Sequence, residues 1–275
     1  GAVDYLLKPL DSQILVSNIN YLTEVKNKYD TQDSTNILPL SAKEKNYISS
    51  HPVLKVAVIA DDAPYFKQEG KGPVQGIIPD YYSLIAEKSG LQFTYRVYPT
   101  HEAAVAAVKN KEADILGMYS GGMVSSYEKG LILTDRFSTV NSILLTKSGL
   151  EASEIRKIAV KSRALDSLKG NISETFPSAQ VIDYENAQEC FNAMQRGETD
   201  AVLIGLPSAT WLINQVNSAA YSIVPLPGTS SDLCGAVNKD NQILSSILNK
   251  EIGATMGNFP GIVTKDTLTE GSWKT

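Results

Sequence analysis

Histidine is nearly absent from this chain. His51 and His101 are the two among 275 residues. Neither has a Cys or a second His close by in sequence, which argues against a zinc site and against histidine as a general base. Cysteine is equally scarce. Cys190 and Cys234 cannot build a disulfide framework, so they read as free thiols, with one bridge in an oxidising compartment left open. Lys/Arg runs are missing and the net charge is −5, so no nucleic-acid partner is expected. No apolar run approaches the roughly 18 residues that a membrane span needs. Nor is there a Ser/His/Asp set, a metal cluster or a phosphate loop. These absences predict a non-enzymatic chain with no cofactor. The chain starts with Gly1 rather than Met, which fits a leader or anchor removed upstream.

What is present is a diverged ten-residue repeat. Ala107 to Leu116 (AVKNKEADIL) returns as Ala193 to Val202 (AMQRGETDAV). Each copy reads as the end of an amphipathic helix, a tight turn and an apolar strand. Asp114 and Asp200 sit at the turns, where a short carboxylate bonds to backbone. They are read as structural residues rather than ligand contacts. A spacing of 86 residues is too long for a solenoid and suits two similar α/β lobes. A cleft between lobes is a usual place for a small ligand.

Around the repeats, strands and helices alternate, which predicts a mostly parallel sheet. Leu54 to Ala60 is a buried strand, and Asp61 to Pro64 a loop that Pro64 keeps out of the ladder. Glu69 to Pro73 is a hairpin-like turn. Pro79 to Ser89 is a helix capped by Gly90. Leu91 to Tyr98 is a strand, Glu102 to Lys109 a helix and Asp114 to Met118 a strand. The second lobe follows with a strand from Ile158, helical stretches at Leu165 to Lys169 and 171–176, and a strand at Gln180 to Tyr184. Asn186 to Gln195 is a helix, Asp200 to Ile204 and Leu233 to Val237 are strands, and a last helix runs from Gln242 to about Met256. Trp211 reads as packing. Upstream, Asp11 to Asn27 has helical spacing, Tyr29 to Asn36 reads as a linker, and Ser41 with Glu44 forms a capping box.

In order, these pieces resemble the extracellular solute-binding protein family 3, the Venus-flytrap module of periplasmic-binding-protein type II. The resemblance covers residues 41–259. It rests on Val56 to Tyr65 (VAVIADDAPY), Gly76 to Asp80, Lys111 to Met118, Leu133 to Phe137, Ala159 to Ser162, Gly197 to Val202 and the segment from Cys234 to Leu244. The lead-in Leu40 to Pro52 is similar to segments that precede flytrap domains of membrane-bound sensors. The resemblance implies two α/β lobes joined by two crossover strands, plus an N-terminal helical extension at residues 1–40. Lobe I would take residues 41–137 and 229–275, and lobe II residues 138–228. Hinges would lie near Phe137 to Thr139 and Pro227 to Thr229. Gly1 to Pro9 is also similar to the end of a response-regulator receiver domain, but the acidic pocket of a receiver is absent upstream. Residues 1–40 are therefore read as a linker helix or the tail of a preceding module.

The resemblance further implies an extracytoplasmic sensor domain that closes on a small molecule. Its partners would be a membrane signalling domain and a tandem flytrap module. A receptor for an ABC importer is the alternative, and a dehydratase on the same fold the third. Family members that bind α-amino acids use an Arg for the α-carboxylate and an Asp for the α-ammonium. The matching positions here are Tyr127 and Gly205, so a typical free α-amino acid is not the expected ligand. What remains is Asp61, Asp62 and Tyr65 after the first strand, and Tyr119, Ser120 and Gly121 after the strand from Asp114 to Met118, where open α/β sheets bind ligands. Tyr65 and Tyr119 would stack on a ring or wall the site. In the second lobe, Lys161, Ser162 and Arg163 precede a helix and would form an anion site.

Overall fold

The computed structural model describes residues 39–60, 62–120, 123–161 and 172–268. The expected helical extension therefore lies outside the described residues, as do Asp61, Gly121, Ser162, Arg163 and the expected helix at Leu165 to Lys169. The chain divides into two compact units. Unit one comprises Val140–Ser231 and residues 264–268. Unit two comprises residues 39–139 and Asp232–Val263.

Unit two starts with α1 (Ala42–Ser50), then β1 (Val53–Ile59) and the short hairpin β2 (Lys67–Gln68) with β3 (Val74–Gln75). It continues through α2 (Ile77–Ser89), β4 (Gln92–Tyr98), α3 (His101–Lys109), β5 (Ile115–Tyr119) and α4 (Met123–Glu128). The strand β6 (Leu131–Lys147) then carries the chain into unit one. There follow β7 (Lys157–Lys161), β8 (Gln180–Tyr184), α5 (Ala187–Arg196), β9 (Ala201–Gly205) and α6 (Leu206–Asn214). The strand β10 (Tyr221–Asn238) returns to unit two, and α7 (Gln242–Thr255) and α8 (Phe259–Leu268) close the described chain.

The two units use one plan. In unit two, β1 pairs parallel with β4 and with β5, and β5 pairs antiparallel with β10. In unit one, β7 pairs parallel with β8 and with β9, and β9 pairs antiparallel with β6. The full hydrogen-bonded order is β4-β1-β5-β10-β6-β9-β7-β8, with the two crossing strands adjacent at its middle. Both crossovers are single long strands, so Phe137 to Thr139 lies inside β6 and Pro227 to Thr229 inside β10. Parallel strands covered by helices are buried on both faces, and β5 is buried at every position.

The repeat sits where the plan requires it. Asp114 Oδ2 accepts from Lys55 N at 2.7 Å, tying the α3–β5 turn to the start of β1. Asp200 Oδ2 accepts from Arg156 N and Lys157 N, both at 2.8 Å, tying the α5–β9 turn to the start of β7. The backbone repeats too. Asp114 N donates to Lys55 O and Asp200 N to Lys157 O, each at 2.9 Å. Lys111 and Gly197, equivalent in the repeat, have φ of 63° and 77°. Gly197 takes that left-handed conformation without strain, and Lys111 does not.

Each unit builds its own core. Unit one packs Phe191, Met194 and Cys190 of α5 and Leu212 and Ile213 of α6 on Leu145, Ala159 and Val202. Trp211 packs against this cluster from its edge. Cys190 and Cys234 are both free and buried, and burial pushes the Cys190 thiol up to about 12 and the Cys234 thiol up to about 11. In unit two, Tyr81, Phe137 and Phe259 form an aromatic knot with centroids 5.1–5.2 Å apart. The helices α6 and α8 carry no assignment from periodicity. The first holds Pro207 and the second Pro260 in its first turn, and tertiary packing defines both.

The lead-in helix α1 is anchored by charge. Ser41 and Glu44 form the expected capping box: Ser41 N donates to Glu44 Oε2 and Glu44 N donates to Ser41 Oγ. The buried Glu44 also accepts from Lys250 Nζ and Ser246 Oγ of α7, each at 2.7 Å. The Lys250 ammonium, helped by Ser246 and Ser41, outweighs burial and holds the Glu44 carboxyl down to about 2.

Two predictions follow from this scaffold. Asp200→Ala removes the acceptor of two strand-start N–H groups and Asp114→Ala of one. Urea unfolding should show both destabilised, on the order of 1–3 kcal/mol per orphaned site, with Asp200→Ala the worse. Glu44, depressed when folded, contributes stability that is complete above its unfolded value of 4.5 and is lost as pH falls towards about 2. Unfolding followed across that window should show a slope that Glu44→Gln flattens.

Candidate ligand site at the strand ends

The loop after β1 is built by backbone. Ala60 N donates to Tyr98 O, keeping β1 and β4 together to their ends. Asp61 lies outside the described residues. Asp62 is buried and bridges to Phe66, and its carbonyl accepts from Tyr65 N at 2.8 Å and Phe66 N at 3.1 Å. Its burial places Asp62 within the loop's own framework. Tyr65 is buried as well.

This loop docks on the start of α2. Ile77 N donates to Pro64 O at 3.0 Å and Ile78 N to Tyr65 O at 2.9 Å. Two of the orphan N–H groups of the helix are thus satisfied by the loop rather than by a side-chain cap. The close approach explains Gly76, with φ of 117°. A Cβ there would lie 2.6 Å from Pro64 O and 2.8 Å from Tyr65 O. Sequence reading treats Gly76 as a motif residue and gives no sign of this contact.

Tyr119 ends β5 and is 3 % exposed. Its ring stacks on His101 at 5.6 Å, and Lys129 Nζ lies 5.9 Å from its centroid. It belongs to a core cluster with Ala57, Val108, Leu131 and Ala236. Packing therefore occupies this ring, and the exposed residue at the end of β5 is Ser120. Gly121 lies outside the described residues. Asp62, Tyr65 and Ser120 thus all follow the C-terminal ends of two neighbouring parallel strands, β1 and β5.

Beyond Ser120, α4 leaves Met123 77 % and Tyr127 62 % exposed. Tyr127 is the residue that the resemblance would set in place of an amino-acid binder's Arg. Its ring lies 5.8 Å from Lys239 Nζ, a cation–π distance.

In unit one, Lys161 is half-buried at the end of β7, in register with Tyr184. Its positive charge partly offsets the burial that raises the Cys190 thiol. Ser162 and Arg163 lie outside the described residues. Gly205 ends β9 opposite Ser142 and is the N-cap of α6, with φ −63° and ψ 141°. It supplies no carboxylate. Lys161 and Gly205 both lie at C-terminal strand ends of their own unit.

No protein-family model matches the chain. Among curated proteins it is similar to the sensor protein EvgS of Escherichia coli O157:H7, 24 % identical over 225 residues, covering 79 % of this chain and 18 % of that protein. It is also similar to the virulence sensor protein BvgS of Bordetella pertussis, 26 % identical over 220 residues, covering 77 % of this chain and 17 % of that protein. The chain thus spans less than a fifth of the length of these relatives. Among solved structures, the BvgS periplasmic VFT2 domain of Bordetella pertussis aligns with a TM-score of 0.73 at 22 % identity, covering 82 % of this chain and 98 % of that one. The fold is the mixed α/β flytrap fold of periplasmic-binding-protein type II.

Gly76→Ala puts a methyl into two carbonyl oxygens at a positive φ. Thermal or urea unfolding should show a loss on the order of 1–3 kcal/mol. Gly90→Ala, where a Cβ meets nothing within 4 Å, tests positive φ without the clash and should cost less.

Proposed function

We propose that the chain is an extracytoplasmic sensor domain that closes on a small polar ligand and passes that event to a membrane-linked signalling partner. The observation that carries this reading is the alignment of nearly the whole BvgS VFT2 domain with this chain, alongside sequence similarity to two proteins named as sensors. The membrane tether, the signalling partner and a tandem flytrap module belong to the proposal. The two compact units are its two lobes. In this reading the domain binds and does not catalyse.

We assign the ligand contacts to Asp61, Asp62, Tyr65, Ser120 and Gly121 in one lobe and Lys161, Ser162, Arg163 and Gly205 in the other. Tyr119 backs this site from the core. Because Tyr127 and Gly205 supply neither the Arg nor the Asp of an amino-acid binder, the ligand is a small polar molecule other than a typical free α-amino acid. If it is anionic, Lys161 and Arg163 supply the counter-charge.

A thermal-shift panel of small polar metabolites tests this. A ligand at 100 times its Kd should stabilise by about 2.7 kcal/mol, a Tm rise on the order of 5–10 °C. Free Gln, Arg, Lys and His should give none. Arg163→Ala should weaken an anionic hit by about 10- to 150-fold. A panel without a hit, or micromolar binding of those amino acids by calorimetry, overturns the assignment. In the full-length protein a membrane-spanning segment beyond Thr275 is expected. A lipidated cysteine upstream would point instead to a receptor for an importer.

A further inference from the structure

A pocket of about 310 Å3 opens at the other end of β5 from Ser120, at its N-terminal start. It lies within unit two, where the end of α1, the α3–β5 turn and the β10–α7 turn meet. Two rings form one wall. Tyr47 and His51 stack with centroids 4.4 Å apart and planes 17° apart. Asn241 Nδ2 donates to Tyr47 Oη at 2.9 Å and holds that ring in place.

Charge on the other walls is unbalanced. Lys111 Nζ lies 3.2 Å from Asp240 Oδ2, so these two offset each other. Asp114 spends one oxygen on Lys55 N and has no ion-pair partner among the described residues. Burial raises the pKa of the Tyr47 phenol, the Asn241 hydrogen bond lowers it, and the Asp114 charge adds to the rise. Two carboxylates thus face one ammonium beside a π-surface. The described residues contain no group of three or more His, Cys, Asp or Glu suited to a metal ion. An ammonium, unlike a metal ion, needs no such cluster: one carboxylate and a π-face can hold it.

We propose that this pocket is a second binding site, for a small aliphatic amine. The ammonium would sit between Asp114 and the Tyr47–His51 stack, joining a charge-assisted hydrogen bond to a cation–π contact. A diamine would reach Asp240 with its other end, in competition with Lys111. Lys111 governs the fit. It holds a positive φ that its counterpart Gly197 adopts freely, and its ammonium masks half of the acidic charge.

Calorimetry with 1,4-diaminobutane, on the whole chain, tests the proposal. Native protein should bind it, and butyrate, of similar length and opposite charge, should not bind. Lys111→Gly relieves the backbone and unmasks Asp240, so it should bind the diamine several-fold more tightly. Asp114→Asn keeps an acceptor for Lys55 N while removing the charge, and should bind at least ten-fold more weakly. Arg163→Ala, which alters the separate site proposed above, should bind the diamine as the native chain does. Absence of binding, equal affinity in the native, Lys111→Gly and Asp114→Asn proteins, or complete loss in millimolar MgCl2 would overturn it.

Discussion

The bond on which both halves of this molecule depend is a carboxylate at a helix-to-strand turn holding the first N–H groups of the neighbouring parallel strand. Parallel strands cannot be joined by a tight hairpin, so their register must be set by other means. Here Asp114 sets β5 against β1, and Asp200 sets β9 against β7. Once those pairs are fixed, the helix before each turn lies over the sheet and the C-terminal strand ends come into line. The loops that carry Asp62, Tyr65 and Ser120 in one unit, and the strand ends Lys161 and Gly205 in the other, are downstream of that registration.

Much of this was legible in the sequence, because the repeat encodes it directly. Asp114 and Asp200 are read as turn residues from their place between an amphipathic helix and an apolar strand, and they make those bonds. The capping box at Ser41 and Glu44 is visible for the same reason: its chemistry is local. What stays hidden is non-local. Nothing in the spacing of Gly76 reveals that its absent side chain makes room for the carbonyls of Pro64 and Tyr65. Nothing near Glu44 names Lys250, some two hundred residues away. Pro207 and Pro260 stand in the first turns of α6 and α8, two helices that the pattern of the sequence leaves unassigned.

The strand-end residues show where pattern reading stops. Position after a strand marks a residue as available to a ligand, but burial decides which atoms are. Tyr119 is a strand-end aromatic whose ring His101 and Lys129 already engage. Ser120, one residue on, is exposed. β5 is buried on both faces through Tyr119 and exposure begins where the strand ends, so a one-residue difference separates core from surface.

Lys250 has a mechanical consequence. Its ammonium donates to Glu44 Oε2 and, at 3.1 Å, to the carbonyl of Pro39, just upstream of α1. Tension arriving along the chain from the N-terminal side therefore meets a clamp before it reaches the first turn of the helix. The clamp is seated on α7, whose Ile247, Leu248 and Ile252 are buried. Residue 39 is thereby tied to the packed helix α7 directly, through a half-buried ammonium, and not only through the nine residues of α1.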